Sequence, residues 1–128
     1  MYNSKGYIKP RVKQMEDQKE LICIPLRTIH NIIPVLDSAG EHEIRVLLES
    51  EFIDISDFEW IYKIFKRAKE LKGIKVHYVI VGHPLVNLVA VNAISKFASE
   101  LKIYAWNRAT KKYVGINYSD LFVYGEEN

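Results

Sequence analysis

The stretch Val76-His77-Tyr78-Val79-Ile80-Val81-Gly82-His83-Pro84-Leu85-Val86-Asn87-Leu88-Val89-Ala90 changes character once, at its centre. Up to Val81 it is β-branched and aromatic, the composition of a strand. From Leu85 to Leu101 the residues suit a helix whose first two turns are apolar on nearly all sides, so this helix belongs at the centre of the fold. Between the two, Gly82 permits close backbone approach and Pro84 suits the first helical position. A strand turning this tightly into a buried helix is the repeating unit of a parallel α/β sheet.

Working outward, the flanking segments continue the alternation. Ser56 followed by Glu59 matches a capping box, and Phe58, Ile61, Tyr62, Phe65 and Ala68 then share one helical face that Gly73 closes. Ile44 to Leu48 reads as a strand, with a helical alternative because Glu43 and Glu49 flank it. Leu21 to Ile24 is a continuous apolar run that Pro25 interrupts, as expected of a strand buried on both faces. Ile29, Ile32, Ile33 and Leu36 keep helical spacing with Gly40 as a stop. Pro34 either breaks that helix or falls in its first turn if the helix starts near Asn31, which makes Arg27 to His30 a loop. On the carboxyl side, Ile103 to Trp106 and Lys112 to Ile116 read as strands joined through Asn107 to Lys111. The expected fold is therefore α/β: a Rossmann-like, mainly parallel sheet with flanking helices and a C-terminal antiparallel hairpin.

The chain's 128 residues, 48% hydrophobic and 27% charged, allow about one domain. Residues 1–20 are polar and read as an arm, 21–117 as a single α/β domain, and 118–128 as a tail. No apolar run approaches the ~20 residues of a membrane span. The lone Cys23 excludes an internal disulfide and suits a reducing compartment, so a cytoplasmic protein without membrane partners is expected. A net charge of +2 does not itself argue for nucleic acid. From Leu101 to Ser119, however, Lys102, Arg108, Lys111 and Lys112 interleave with Tyr104, Trp106, Tyr113 and Tyr118, with no acidic residue among them. That segment is either an edge hairpin guarded by lysines or a surface for an anionic ligand or nucleic acid.

Ligands of open α/β sheets gather at the carboxyl ends of parallel strands. Two segments compete for that place. In Gly82-His83-Pro84, the helix amides beyond Pro84 favour an anion, and His83 stands beside it as a proton-transfer group or, in the plainer reading, as an exposed loop histidine. Asn87, one turn on, contacts either a ligand or a neighbouring loop. In Arg27-Thr28-Ile29-His30, Arg27 can grip a phosphate bidentately, or be a surface charge, and Thr28 can donate to a ligand or cap a helix. His42 and His77 carry weaker signals, and His77 reads as packed within its strand or facing solvent. No histidine pair has metal-ligand spacing on a helix, so neither a metal site nor a cofactor is expected.

From Glu43 onward the pattern resembles the small CRISPR-associated accessory proteins of type III systems, Rossmann-like ring nucleases that bind and cleave cyclic oligoadenylate messengers. The resemblance is carried by Tyr78 to Ala90 and by Lys102-Ile103-Tyr104-Ala105-Trp106-Asn107-Arg108 with Lys112-Tyr113-Val114-Gly115-Ile116-Asn117. It implies a ring of adenylates bound across a homodimer and opened without metal by attack of a ribose 2′-hydroxyl on its neighbouring phosphorus. In that scheme Arg27 and the amides after Pro84 hold the phosphate, His83 moves a proton, and Asn87 orients ribose or base. Thr28, His30, Gly82 and Arg108 complete the binding set. A nucleotide-binding module without turnover, or a nucleic-acid-binding protein using the basic aromatic hairpin, remain the alternatives.

Overall fold

The computed structural model describes residues 19–27, 39–49 and 53–126. In chain order these form β1 (Glu20–Leu26), β2 (Glu43–Leu48), α1 (Glu59–Lys69), β3 (Lys75–Val79), α2 (Pro84–Ser95), β4 (Glu100–Asn107), β5 (Lys112–Asn117) and α3 (Tyr118–Glu126). The strands make one sheet in the order β2-β1-β3-β4-β5. The first four run parallel, and β5 returns antiparallel to β4. The mainly parallel α/β sheet with its C-terminal antiparallel pair is the architecture expected from the alternation. The Ile29 to Leu36 helix lies outside the described residues.

Register explains where the core sits. Leu21 lies beside Val76, which lies beside Leu101, and Cys23, Tyr78 and Ile103 form the next row on the same face. Passing from β2 through α1 to β3, and from β3 through α2 to β4, the chain advances in one direction across the sheet. Right-handed crossovers therefore place both helices on the same face, and Trp60, Ile64 and Ala68 of α1 join Val86, Ala90, Ala93 and Ile94 of α2 in its core. Ile22, Ile24, Val79, Tyr104 and Tyr113 form a smaller cluster on the opposite face. The apolar run in β1 is thus buried on both sides. Burial pushes the Cys23 thiol up to about 12, which leaves it protonated and unreactive.

Several boundaries differ from the sequence-based expectation. The capping box does not form: Ser56 Oγ donates to Asp54 Oδ1 at 2.6 Å, and Phe58 occupies the cap position without a side-chain bond. The inward face of α1 is also displaced, with Trp60 buried while Phe58 and Tyr62 are exposed. The helix after β3 ends at Ser95 rather than Leu101. Its 12 residues span about 18 Å, and the 5 residues of β3 span about 17 Å, so a longer helix would overshoot the start of β4. Leu101 instead pairs with Val76. The polar arm ends before Glu20, which opens β1, and the segment after Asn117 is helical through Glu126.

Gly115 fills a specific need in β5. A Cβ there would stand 2.7 Å from Tyr104 Cε2 and 2.8 Å from Lys102 Cε. The lysine can move, but the Tyr104 ring is buried and its hydroxyl is hydrogen-bonded to His77. Gly115→Ala is expected to cost about 1–3 kcal/mol through overpacking. A urea midpoint equal to that of the parent protein would show that the ring has another place to go.

Candidate functional site

The strand order reverses at β1, which has β2 on one side and β3 on the other. The crevice beyond the carboxyl ends of β1 and β3 is the switch point at which open α/β sheets take ligands. Arg27 follows β1 there, and Ile80 to His83 follow β3. Because β4 runs parallel to β3, the turn between β4 and β5, with Arg108 and Lys111, comes to the same end.

The bend after β3 is built from its own residues. Gly82 has φ +79°, where a side chain would be strained. His83 is extended at φ −67°, ψ 130° and caps α2: its Nδ1 accepts from the Leu85 amide at 3.0 Å. A neutral His83 therefore carries its proton on Nε2. Pro84 has no N–H, and with the Leu85 amide taken by the histidine ring, the helix start offers an anion fewer donors than the sequence implies. Gly82, His83, Pro84 and Leu85 are all exposed.

Asn87 is buried, and its amide is committed to its own chain. Nδ2 donates to the carbonyls of Val81 and His83, both at 2.9 Å, while Oδ1 accepts from the Tyr78 hydroxyl at 2.8 Å. Of the two readings open for this residue, the structure provides the loop partner. The side chain clamps strand, bend and helix together without facing outward.

Arg27 pairs with Glu49 at 2.7 Å, with both side chains at least half exposed. An exposed pair of this kind contributes about 0–1 kcal/mol and exchanges readily for another anion. Arg108 is exposed in a turn that Asn107 holds by accepting from the Ala109 amide at 3.0 Å. Thr28 and His30 lie outside the described residues. A cleft of about 670 Å³ opens near the end of β2, where Glu49, Asp54, Asp57 and Glu59 face Lys63, Lys66 and Arg67. The switch-point residues do not line it.

A second polar centre, not expected from the sequence, occupies the amino end of the sheet. His77 is buried, with Nε2 2.9 Å from Glu20 Oε1 and Nδ1 2.8 Å from the Tyr104 hydroxyl. His42 stacks on it with ring centroids 5.2 Å apart and planes within 7°. Burial lowers the His77 pKa, opposed by the bond to Glu20, and that same bond holds the Glu20 carboxyl below its usual range. Neutral His77 thus donates from Nε2 to Glu20 and accepts from Tyr104 at Nδ1. Burial also pushes the Tyr104 phenol up to about 12. The missed signal was register: Glu20 sits beside Lys75 and Ile22 beside His77, which aligns residues 57 positions apart on one face.

No protein-family model and no curated protein sequence matches this chain.

Proposed function

We propose that this protein binds a nucleotide phosphodiester at the carboxyl end of its sheet, and that the ligand is a cyclic oligoadenylate which it cleaves. The observation that carries the binding reading is the flanking of the β1/β3 switch point by Arg27 on one side and the exposed Gly82-His83 bend on the other. The resemblance of Tyr78 to Ala90 and of the closing hairpin to ring nucleases supports the finer assignment.

The tautomer suits a part in cleavage. With Nδ1 occupied by the Leu85 amide, His83 presents Nε2–H as a hydrogen-bond donor to the departing 5′-oxygen, which takes up through solvent the proton that the neighbouring ribose 2′-hydroxyl gives up as its oxygen attacks phosphorus in line. The products are a 2′,3′-cyclic phosphate and a free 5′-hydroxyl. Arg27 exchanges Glu49 for the phosphate, Arg108 adds charge from the hairpin, and Asn87 acts as a positioning residue by holding the His83 carbonyl. Leu85 and Leu88, 40% and 68% exposed beside the bend, supply an apolar patch suited to a second copy of the chain. Among the described residues no helix is long and apolar enough to cross a membrane. A cytoplasmic location is part of the proposal.

Incubation with cyclic tetra- and hexa-adenylate in EDTA tests this reading. The expected result is 2′,3′-cyclic phosphate products, with His83→Ala slowing cleavage by about 100-fold or more and leaving affinity within a few-fold. Binding without turnover, with affinity lost in the same variant, would reduce the protein to a sensor. Unchanged substrate and no binding would end the proposal. Half-exposed Trp106, edge-on to Tyr113, keeps open a single-strand reading, whose signature is affinity that falls steeply with salt.

A further inference from the structure

We propose that Glu20, His42 and His77 form a binding site for a zinc-class divalent cation at the amino end of the sheet. It stands apart from the carboxyl-end crevice and does not depend on the nucleotide reading. Three potential ligand atoms from separate segments lie within 4.8 Å of one another. Glu20 Oε1 is 2.9 Å from His77 Nε2 and 3.6 Å from His42 Nε2. Ligands held about 2.0–2.1 Å from a tetrahedral zinc stand roughly 3.3 Å apart, so the two observed spacings bracket what the metal needs. Two imidazoles and one carboxylate are a ligand set that zinc accepts, with the fourth position left to water.

The surroundings fit the same role. The parallel imidazole rings both direct Nε2 toward the Glu20 carboxylate. The side chains of Glu20 and His42 are 34% and 23% exposed, against 5% for His77, which leaves an entry path on one side and a fixed anchor on the other. The Tyr104 hydroxyl is the partner that a ligating histidine requires at its other nitrogen. On binding, neutral His77 shifts its proton to Nδ1 and donates it to the Tyr104 oxygen, which frees Nε2 for the metal with no net proton change at that ring. His42 likewise gives up the 2.9 Å bond from Nε2 to the Ala39 carbonyl. The nearest opposing charge is the Lys75 ammonium, 3.9 Å from Glu20 and 3.6 Å from Glu100, so it can retreat to the latter. A bound cation would tie β1 and β3 to the Gly40 turn leading into β2.

The test uses the full-length, tag-free chain stripped with chelator and titrated with Co²⁺ by visible absorption, then with Zn²⁺ by calorimetry. The expected result is one ion per chain, a tetrahedral Co²⁺ spectrum, and a rise in melting temperature on adding Zn²⁺. His42→Ala and Glu20→Gln should each weaken affinity by about 100-fold or more while keeping the parent circular dichroism. Because the Glu20 and His42 side chains are partly exposed, these variants are expected to fold, whereas a change at buried His77 would also disturb the core. Absence of Co²⁺ binding, or equal affinity in the parent and both variants, would overturn the assignment.

Discussion

Asn87→Leu is expected to lower stability by about 2–4 kcal/mol, although the replacement is apolar, similar in size and placed in a helix turn surrounded by apolar residues. The deficit comes from the groups left behind. Removing the amide strands the buried Tyr78 hydroxyl and the Val81 carbonyl, while the His83 carbonyl keeps the Asn87 backbone amide at 3.2 Å. A buried polar group left without a partner costs about 1–3 kcal/mol. The Val81 carbonyl belongs to an accessible bend and recovers part of its loss through water. The phenol does not, because Tyr78 is fully buried. Tyr78→Phe alone should cost about 1 kcal/mol, and combined with Asn87→Leu it should cost clearly less than the sum of the two. Urea melts of the four proteins in that cycle check the argument, and strictly additive losses would refute the clamp. The same variant should slow the proposed cleavage, since the side chain it removes holds the bend on both sides of Gly82, through the Val81 and His83 carbonyls, and so positions the His83 ring.

How much of this arrangement can be read from the chain depends on the range of the interaction. The bend at Gly82 to Pro84 is local: a positive-φ glycine and a first-turn proline announce themselves in consecutive residues, and the strand and helix on either side follow from composition. The double burial of β1 is also legible, because an apolar run without polar alternation leaves no face for solvent. Asn87 gave half a signal, a polar residue in an apolar turn that demands a partner, without saying that the partner was the phenol two strand positions before Ile80. The Glu20, His42 and His77 centre gave none, since its members meet only through strand register. His83 shows a further limit. Its spacing before Pro84 suggested free helix amides for an anion, whereas the ring itself consumes one of them.

Trp60→Ala should be the most damaging substitution in α1, at about 3–5 kcal/mol, while Tyr62→Ala should remain within about 0.5 kcal/mol of the parent. Helical periodicity alone grouped Phe58, Ile61, Tyr62, Phe65 and Ala68 as the inward face, of which Ala68 is fully buried. Aromatic residues crowd both sides of this helix, so spacing fits two faces nearly equally well, and the tertiary contacts decide between them. The Trp60 indole is buried against the sheet and donates from Nε1 to the Ile55 carbonyl at 3.2 Å, in register with Ile64 and Ala68 on successive turns. Its removal opens a cavity between α1 and the sheet and leaves the Ile55 carbonyl unpaired. Tyr62 is 78% exposed and loses little on truncation. A loss of this size is a large part of the 5–15 kcal/mol that a domain usually holds, so Trp60→Ala should unfold at low urea. Equal effects at the two positions would mean that α1 packs with the face that its periodicity first suggested, and the core built from Trp60, Ile64 and Ala68 would have to be redrawn.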